Sequence, residues 1–150
     1  MEKVILYTDG GARGNPGIAG AGAAVVSDAG QILKTASKPL GTMTNNEAEY
    51  QAVILGLETL KKLFGKDKVK DLNIEARLDS ELVCQQLSGK YQTKEKHLWP
   101  LFMKIWNKRV ADFPRLTFTY IPREDNALAD KMANEAMDQQ RAKQGTMFNA

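Results

Sequence analysis

The chain has only one cysteine and one histidine among its 150 residues. Cys84 has no second cysteine to pair with, which excludes an intramolecular disulfide and a zinc ribbon within the chain. No apolar run has the length of a signal peptide or a membrane helix, and a strand-like pattern begins directly after Met1-Glu2-Lys3. We therefore expect a cytoplasmic protein, monomeric and without membrane attachment.

Charge is present without a strong excess of either sign. The net charge of +3 is too small to indicate, by itself, a nucleic-acid partner, because the same charge could equally serve solubility. Basic residues gather in 61–70 and again in 90–109, where Tyr91, Trp99 and Trp106 are interleaved with them. The second stretch favours two interpretations: a surface that follows a phosphate backbone, or a solvated helix face whose aromatic side chains point into the core.

The hydrophobic pattern predicts one α/β domain over residues 1–138 and a flexible tail over 139–150, from which Met147 and Phe148 could dock on the body. The first three predicted strands form an antiparallel meander, and a loop is expected over 10–17. Thr44 and Asn45 are both available to cap the first helix. The predicted elements are strands at 4–9, 19–26 and 31–37, a helix at 45–64, a strand at 72–78, helices at 80–87 and 97–110, a strand at 116–121 and a last helix after 125.

Four carboxylates lie in contexts that could aim them at one point: Asp9, Glu49, Asp79 and Asp130. Asp9 and Asp79 follow apolar strands, and the ends of strands are where α/β sheets place their chemistry. Hard divalent cations prefer oxygen ligands. The pattern indicates a divalent-metal site that acts on a phosphodiester.

Each of these acids also has a plainer interpretation. Glu49 shares a small, apolar track of its helix, whereas Glu47 shares a polar one, so Glu49 is the better candidate. Asp79 could serve only as a helix N-cap, and Asp130 could be a surface charge. Asn126 lies one turn before Asp130, and together they form a polar corner near the start of the last helix.

The glycine-rich segment 10–17 is weak evidence in isolation, because such segments mostly form tight turns. It lacks the Gly-Lys-Ser/Thr ending of a P-loop and does not fit Gly-x-Gly-x-x-Gly. Its backbone amides could still lie close to a phosphate.

With these residues in place, the chain resembles ribonuclease H of type 1, in its short branch without a basic handle, which is similar to the nuclease domain of reverse transcriptases. Four strings in this order and at these separations make the resemblance specific, and it extends from about residue 4 to 137. They are Tyr7-Thr8-Asp9-Gly10-Gly11 with Gly14-Asn15-Pro16-Gly17, Thr44-Asn45-Asn46-Glu47-Ala48-Glu49, Leu78-Asp79-Ser80, and Asn126-Ala127-Leu128-Ala129-Asp130.

The resemblance implies an α/β ribonuclease H-like fold, with a mixed five-stranded sheet of three antiparallel and then two parallel strands, flanked by helices. It implies an endonuclease that hydrolyses the RNA strand of an RNA/DNA hybrid, largely without sequence preference, and leaves 5′-phosphate and 3′-hydroxyl ends. Asp9 would bridge two Mg²⁺ or Mn²⁺ ions, Glu49 and Asp79 would complete one shell, and Asp130 would hold the other ion. The implied substrate-binding residues are Gly10, Gly11, Ala12, Arg13, Asn15, Asn45, Asn46 and Ser80.

Some features depart from the family pattern. The loop before the last helix lacks the histidine that many members use in product release, so Arg123 or Glu124 would have to replace it, and His97 lies elsewhere. Glu81 stands where many members have an amide. Residues 88–109 are too few for the basic handle.

Three other functions are compatible with parts of this pattern. A catalytically silent hybrid-binding module is disfavoured because all four acids are present. A sugar-kinase or actin-like ATPase would need a second domain. A nuclease acting on double-stranded RNA or on a junction keeps the chemistry and changes the substrate.

Overall fold

The computed structural model describes residues 2–149 and the side chains of residues 2–145. Five strands and five helices are joined by short turns, with two 3₁₀ turns at Lys96–Leu98 and Arg123–Asp125. In chain order the elements are β1 (Lys3–Gly14), β2 (Gly17–Ser27), β3 (Ile32–Met43), α1 (Asn45–Phe64), α2 (Lys66–Val69), β4 (Asn73–Leu78), α3 (Glu81–Leu87), α4 (Trp99–Asp112), β5 (Leu116–Tyr120) and α5 (Ala127–Asn149).

The strands form one sheet in the order β3-β2-β1-β4-β5. β1, β2 and β3 pair antiparallel, whereas β4 lies parallel to both β1 and β5. The alternating burial of β4 follows from its sequence, since every second residue is apolar and faces the core. The predicted fold, three antiparallel strands followed by two parallel ones, is confirmed.

Helices cover both faces of the sheet, and neighbouring residues of β1 show which helix lies on which face. A Cβ added at Gly10 would meet the backbone of Ala48 in α1, and one added at Gly11 would meet the side chain of Met137 in α5. The main core lies on the α1 side, where Leu6 packs with Leu57 and other fully buried residues. The four candidate carboxylates lie on different parts of this fold: Asp9 in β1, Asp79 directly after β4, and Glu49 and Asp130 in the helices α1 and α5 on opposite faces of the sheet.

The predicted loop over 10–17 is wrong, because β1 continues to Gly14 and β2 begins at Gly17. Residues 10–14 are small or polar and carry no apolar alternation, yet they pair with residues 17–21 of β2 and thereby satisfy their backbone groups. The turn is confined to Asn15 and Pro16. Asp9 thus lies inside β1 and not at its end. β3 is also longer than predicted, ending at Met43.

The helices begin near their predicted positions. Thr44 caps α1, and Ser80, not Asp79, caps α3 by accepting a hydrogen bond from the amide of Val83. α5 continues as a helix to Asn149. The division into a domain over 1–138 and a tail over 139–150 stays a prediction. The suggested docking of Met147 and Phe148 lies outside the described side chains. Within residues 2–149, no helix combines the length and apolar character needed to cross a bilayer.

Candidate active site

Three of the four carboxylates form a tight cluster. Asp9, Glu49 and Asp79 each place an oxygen within 4.8 Å of the others. Asp130 lies outside this trio, but it is close enough for its charge to help raise the pKa of Asp9. All four line one cavity of about 460 Å³.

Asp9 and Asp79 lie side by side because each directly follows the last residue pair between β1 and its parallel neighbour β4. The last paired residues of β1 and β4 are Thr8 and Leu78, so the two aspartates follow directly at the same edge. Asn126 fixes this edge from the start of α5. Its buried amide donates to the carbonyl of Thr8 at 2.9 Å and to Asp79 Oδ2 at 3.0 Å. The carboxylate of Asp79 is therefore held in place by the residue directly before the last helix.

Glu49 reaches the site because α1 lies almost in contact with β1. At Gly10 there is no space for a Cβ beside the backbone of Ala48, so only glycine permits this approach. The backbone N–H of Gly10 also donates to the Glu49 carboxylate. Glu47 has a separate duty, a capping box in which its carboxylate accepts from the amide of Thr44 at 3.3 Å.

Asp130 is brought to the cavity by close packing of α5 on β2. A Cβ at Gly22 would overlap the carbonyl of Ala129, and a Cβ at Gly20 would overlap Ala133 and its neighbours. These glycines allow the helix backbone to rest directly on the strand. Asn134, one turn further along α5, donates to the carbonyl of Asp130 at 3.0 Å.

Burial and mutual repulsion alter the acidity of the cluster. Loss of solvent is the main cause that raises the pKa of Asp9 to about 7, and the charges of Asp79 and Asp130 add to it. The same two effects, burial first and then the charge of Asp9, raise the pKa of Glu49 well above its usual range. The site therefore resists full ionisation of its own acids and favours a compensating positive charge.

The donor set suits a hard divalent cation. Glu49 Oε2 is buried and has no hydrogen-bond partner among the described residues. An unpaired buried carboxylate oxygen is costly unless a cation or a proton satisfies it. Four carboxylates around one cavity supply the oxygen ligands that Mg²⁺ and Mn²⁺ prefer. The residues present fit the metal that the sequence predicts.

The predicted substrate-binding residues surround the carboxylates. Those that line the cavity are Gly10, Gly11, Ala12, Arg13, Asn45, Asn46 and Ser80. Asn15 is the exception. It is absent from the described lining of the cavity, and its Oδ1 accepts a hydrogen bond from the backbone amide of Asn45 at 3.0 Å. Asn45 Oδ1 in turn accepts from the amide of Ala12 at 3.0 Å. Asn15 and Asn45 thus join the β1–β2 hairpin to the start of α1.

Arg13 is not free in this structure. Its guanidinium forms a 2.8 Å ion pair with Asp138 and donates to Asn134 Oδ1 at 3.3 Å. Any contact between Arg13 and a bound phosphate would compete with these two partners on α5.

Two cavity-lining residues were not predicted, Asn134 and Met137. They lie four and seven residues after Asp130, so the helical repeat carried a signal for both. Of the suggested product-release pair, Arg123 lines the cavity, whereas Glu124 is absent from the described lining. His97 Nε2 lies 3.9 Å from Glu47 Oε1 and is absent from the described lining of the cavity.

Comparison with known proteins shows the family to which a chain with this arrangement of carboxylates belongs. The family profile described as reverse transcriptase-like matches residues 7–136. The chain belongs to the ribonuclease H family. LC11-RNase H1, isolated from compost, is 48% identical, with a TM-score of 0.87 over 93% of this chain and 98% of its own. The resemblance stated from the four motifs is therefore confirmed.

Two curated relatives are longer than this ribonuclease H chain. A bifunctional protein of Mycobacterium tuberculosis is 37% identical over 91% of this chain, and the ribonuclease HI of Halobacterium salinarum is 39% identical over 91%. The chain spans 36% and 65% of their respective lengths. The similarity therefore concerns only a part of each of these two relatives.

Proposed function

We propose that this chain is a metal-dependent endonuclease that hydrolyses the RNA strand of an RNA/DNA hybrid. One observation carries the proposal: Asp9, Glu49, Asp79 and Asp130, drawn from four separate elements, line a single cavity. A solved structure of LC11-RNase H1 in complex with an RNA/DNA hybrid, 46% identical to this chain, supports the substrate class. A binding module without catalysis would gain nothing from burying unpaired acids, because that burial is costly.

We assign two Mg²⁺ or Mn²⁺ ions to the four acids. Asp9 lies in the trio with Glu49 and Asp79, and the charge of Asp130 acts on it within the same cavity. It is therefore the residue suited to bind both ions. When bound, such a pair activates a water and stabilises the departing 3′ oxygen, which gives 5′-phosphate and 3′-hydroxyl ends.

The protein's own part is to hold these ligands and to position the RNA strand. Asn126 fixes Asp79, and the Gly10 amide fixes Glu49, so each carboxylate is oriented before the substrate arrives. Asn46 and Ser80 line the cavity beside the acids. Amide and hydroxyl groups can donate to and accept from a 2′-hydroxyl, the group that separates RNA from DNA.

Cleavage of four end-labelled substrates tests the proposal: RNA/DNA hybrid, double-stranded RNA, single-stranded RNA and double-stranded DNA. We expect Mg²⁺-dependent cutting of the RNA strand in the hybrid, loss of cutting in EDTA, and products that a 3′-hydroxyl-dependent polymerase can extend. Preferential cutting of double-stranded RNA would assign the chemistry to another substrate. No cutting of any substrate with Mg²⁺ or Mn²⁺ would leave the silent binding module.

A further inference from the structure

Arg13 lines the cavity of the four carboxylates, yet its charge is already compensated. Among the described lining residues, only Arg13 and Arg123 carry a positive charge. Arg13 Nη1 lies 2.8 Å from Asp138 Oδ1, and Asp138 itself is not part of the described lining. A carboxylate outside the cavity therefore engages one of the two cations that a backbone phosphate would meet inside it.

Two residues of α5 define the position of the Arg13 guanidinium. Besides the ion pair with Asp138, Nη2 donates to Asn134 Oδ1 at 3.3 Å, while Asn134 Nδ2 donates to the carbonyl of Asp130 at 3.0 Å. This last bond orients the amide so that its oxygen faces Arg13. Asn134 and Asp138 are four residues apart and so lie on the same side of the helix. Together they form a two-point acceptor for one arginine.

Only the side chain of Arg13 has to move for it to leave α5. The backbone beside it is held elsewhere, because the amide of Ala12 donates to Asn45 Oδ1 at 3.0 Å and Arg13 itself pairs with β2. The side chain of Arg13 is 37% exposed and that of Asp138 is 68% exposed. An exposed ion pair contributes little stability, and a phosphate offers the guanidinium equally good oxygen acceptors. A bound phosphate can therefore compete with Asp138.

The location of Arg13 suits a phosphate beside the one that is cut. Asn134 and Asp138 follow Asp130 by one and two turns, about 6 and 12 Å along α5. The guanidinium that they bind thus lies to one side of the carboxylates. From there it can neutralise a neighbouring phosphate without entering the metal site.

We propose that Asp138 limits the affinity of the protein for its hybrid by holding the Arg13 side chain against α5, in competition with a backbone phosphate. This inference rests on the proposed function and adds to it a residue that controls binding. Because Asp138 acts on Arg13 and not on the four acids, its removal should change KM and leave the chemical step unchanged.

Two other roles fit the contacts less well. If Asp138 instead oriented Arg13 toward the phosphate, its carboxylate would stay close to that phosphate, and the two anions would repel each other. A purely structural link between the β1–β2 hairpin and α5 adds little, because α5 already rests on β2 at Gly20 and Gly22. The competing role requires neither an added repulsion nor a second brace.

Fluorescence anisotropy of a labelled hybrid, in EDTA to prevent cleavage, measures binding at several salt concentrations. Asp138→Asn should bind about two- to fivefold more tightly than the wild type, the range that an exposed ion pair is worth. The plot of log Kd against log salt concentration should be steeper by about one, because one more phosphate is neutralised. In Mg²⁺, KM should fall by a similar factor, while the single-turnover rate at saturation stays that of the wild type.

Three further variants separate this effect from a general change of charge. Glu135→Gln removes an exposed acid from the same helix and is the matched control. Asp138→Glu keeps the carboxylate and should bind like the wild type. In an Arg13→Ala background, Asp138→Asn should alter the affinity no more than Glu135→Gln does, because its effect acts through Arg13. Circular dichroism checks the fold of each variant.

Several results would overturn the proposal. One is an Asp138→Asn variant that binds no more tightly than Glu135→Gln, and another is the same gain in affinity when Arg13 is absent. Weaker binding by Asp138→Asn would assign Asp138 to the orienting role, and a lower single-turnover rate at unchanged affinity would assign it to the structural one. A wild type that binds the hybrid without cutting it would refute the proposed function, and the effect of Asp138 would still be measured by anisotropy.

Discussion

Replacing Asp9 by asparagine should stabilise the metal-free protein while abolishing catalysis. In the folded state, burial and the charges of Asp79 and Asp130 raise the pKa of Asp9 from 3.8 to about 7. At about 1.4 kcal/mol per pKa unit, this difference corresponds to about 4 kcal/mol of free energy of unfolding above pH 7. Asparagine removes the charge that the fold disfavours and keeps the size of the side chain.

The pH dependence follows from the direction of this change. Between pH 3.8 and about 7, folded Asp9 binds more proton than unfolded Asp9, so the stability of the wild type falls as pH rises through this window. The advantage of Asp9→Asn should therefore be absent near pH 3.8, grow through the window and become constant above pH 7. For a chain of this size, each kcal/mol is worth about 2–4 °C in Tm.

The assay is urea unfolding in EDTA, followed by circular dichroism at several pH values, with Asp28→Asn in an exposed turn as the matched control. Mg²⁺ should raise the stability of the wild type and leave Asp9→Asn unchanged, because a ligand stabilises only the state that binds it. A variant no more stable than the wild type at pH 8, or equally favoured near pH 3.8, would refute the electrostatic reasoning.

Three further substitutions test other parts of the account. Glu49→Gln should lower hybrid cleavage at least about 100-fold, whereas Glu47→Gln should change activity and urea unfolding little, because glutamine keeps an acceptor oxygen for the capping box; the reverse order would overturn their assignment. Gly22→Ala should destabilise by about 2 kcal/mol or more, because its Cβ would overlap the α5 backbone, whereas Gly145→Ala, in open space, should be neutral or stabilising; similar melting temperatures would contradict this. Asn126→Ala should weaken Mg²⁺ binding about 10–100-fold by calorimetry, since Asp79 loses its donor, and an unchanged affinity would remove Asn126 from the site.

The sequence predicted those parts of the fold that a periodic apolar pattern marks. α1 and β4 show the helical and the alternating repeat over their whole length, and both have nearly their predicted bounds. The second half of β1 carries no such pattern, because glycine, alanine and arginine contribute little to it. Its strand conformation comes from pairing with β2, a tertiary effect that the local sequence does not encode.

For the site, helical geometry was enough to separate Glu49 from Glu47. It did not reveal that Asp9 lies inside β1, since this depends on the pairing of residues 10–14 with β2. The engagement of Arg13 with Asp138 was equally beyond the sequence, because 125 positions separate the two residues along the chain. Whether Trp99 and Trp106 point into the core was left open by the sequence, and the structure places both at the surface.

Hybrid cleavage by the wild type and by Asp9→Asn, measured side by side in Mg²⁺, tests whether the four carboxylates are the metal ligands of a nuclease. Asp9 belongs to the trio with Glu49 and Asp79, and the charge of Asp130 acts on it in the same cavity. We expect cutting of the RNA strand by the wild type, a loss of at least about 1,000-fold in the variant, and hybrid binding that remains measurable in both. A variant that cuts the hybrid at the wild-type rate would contradict this assignment.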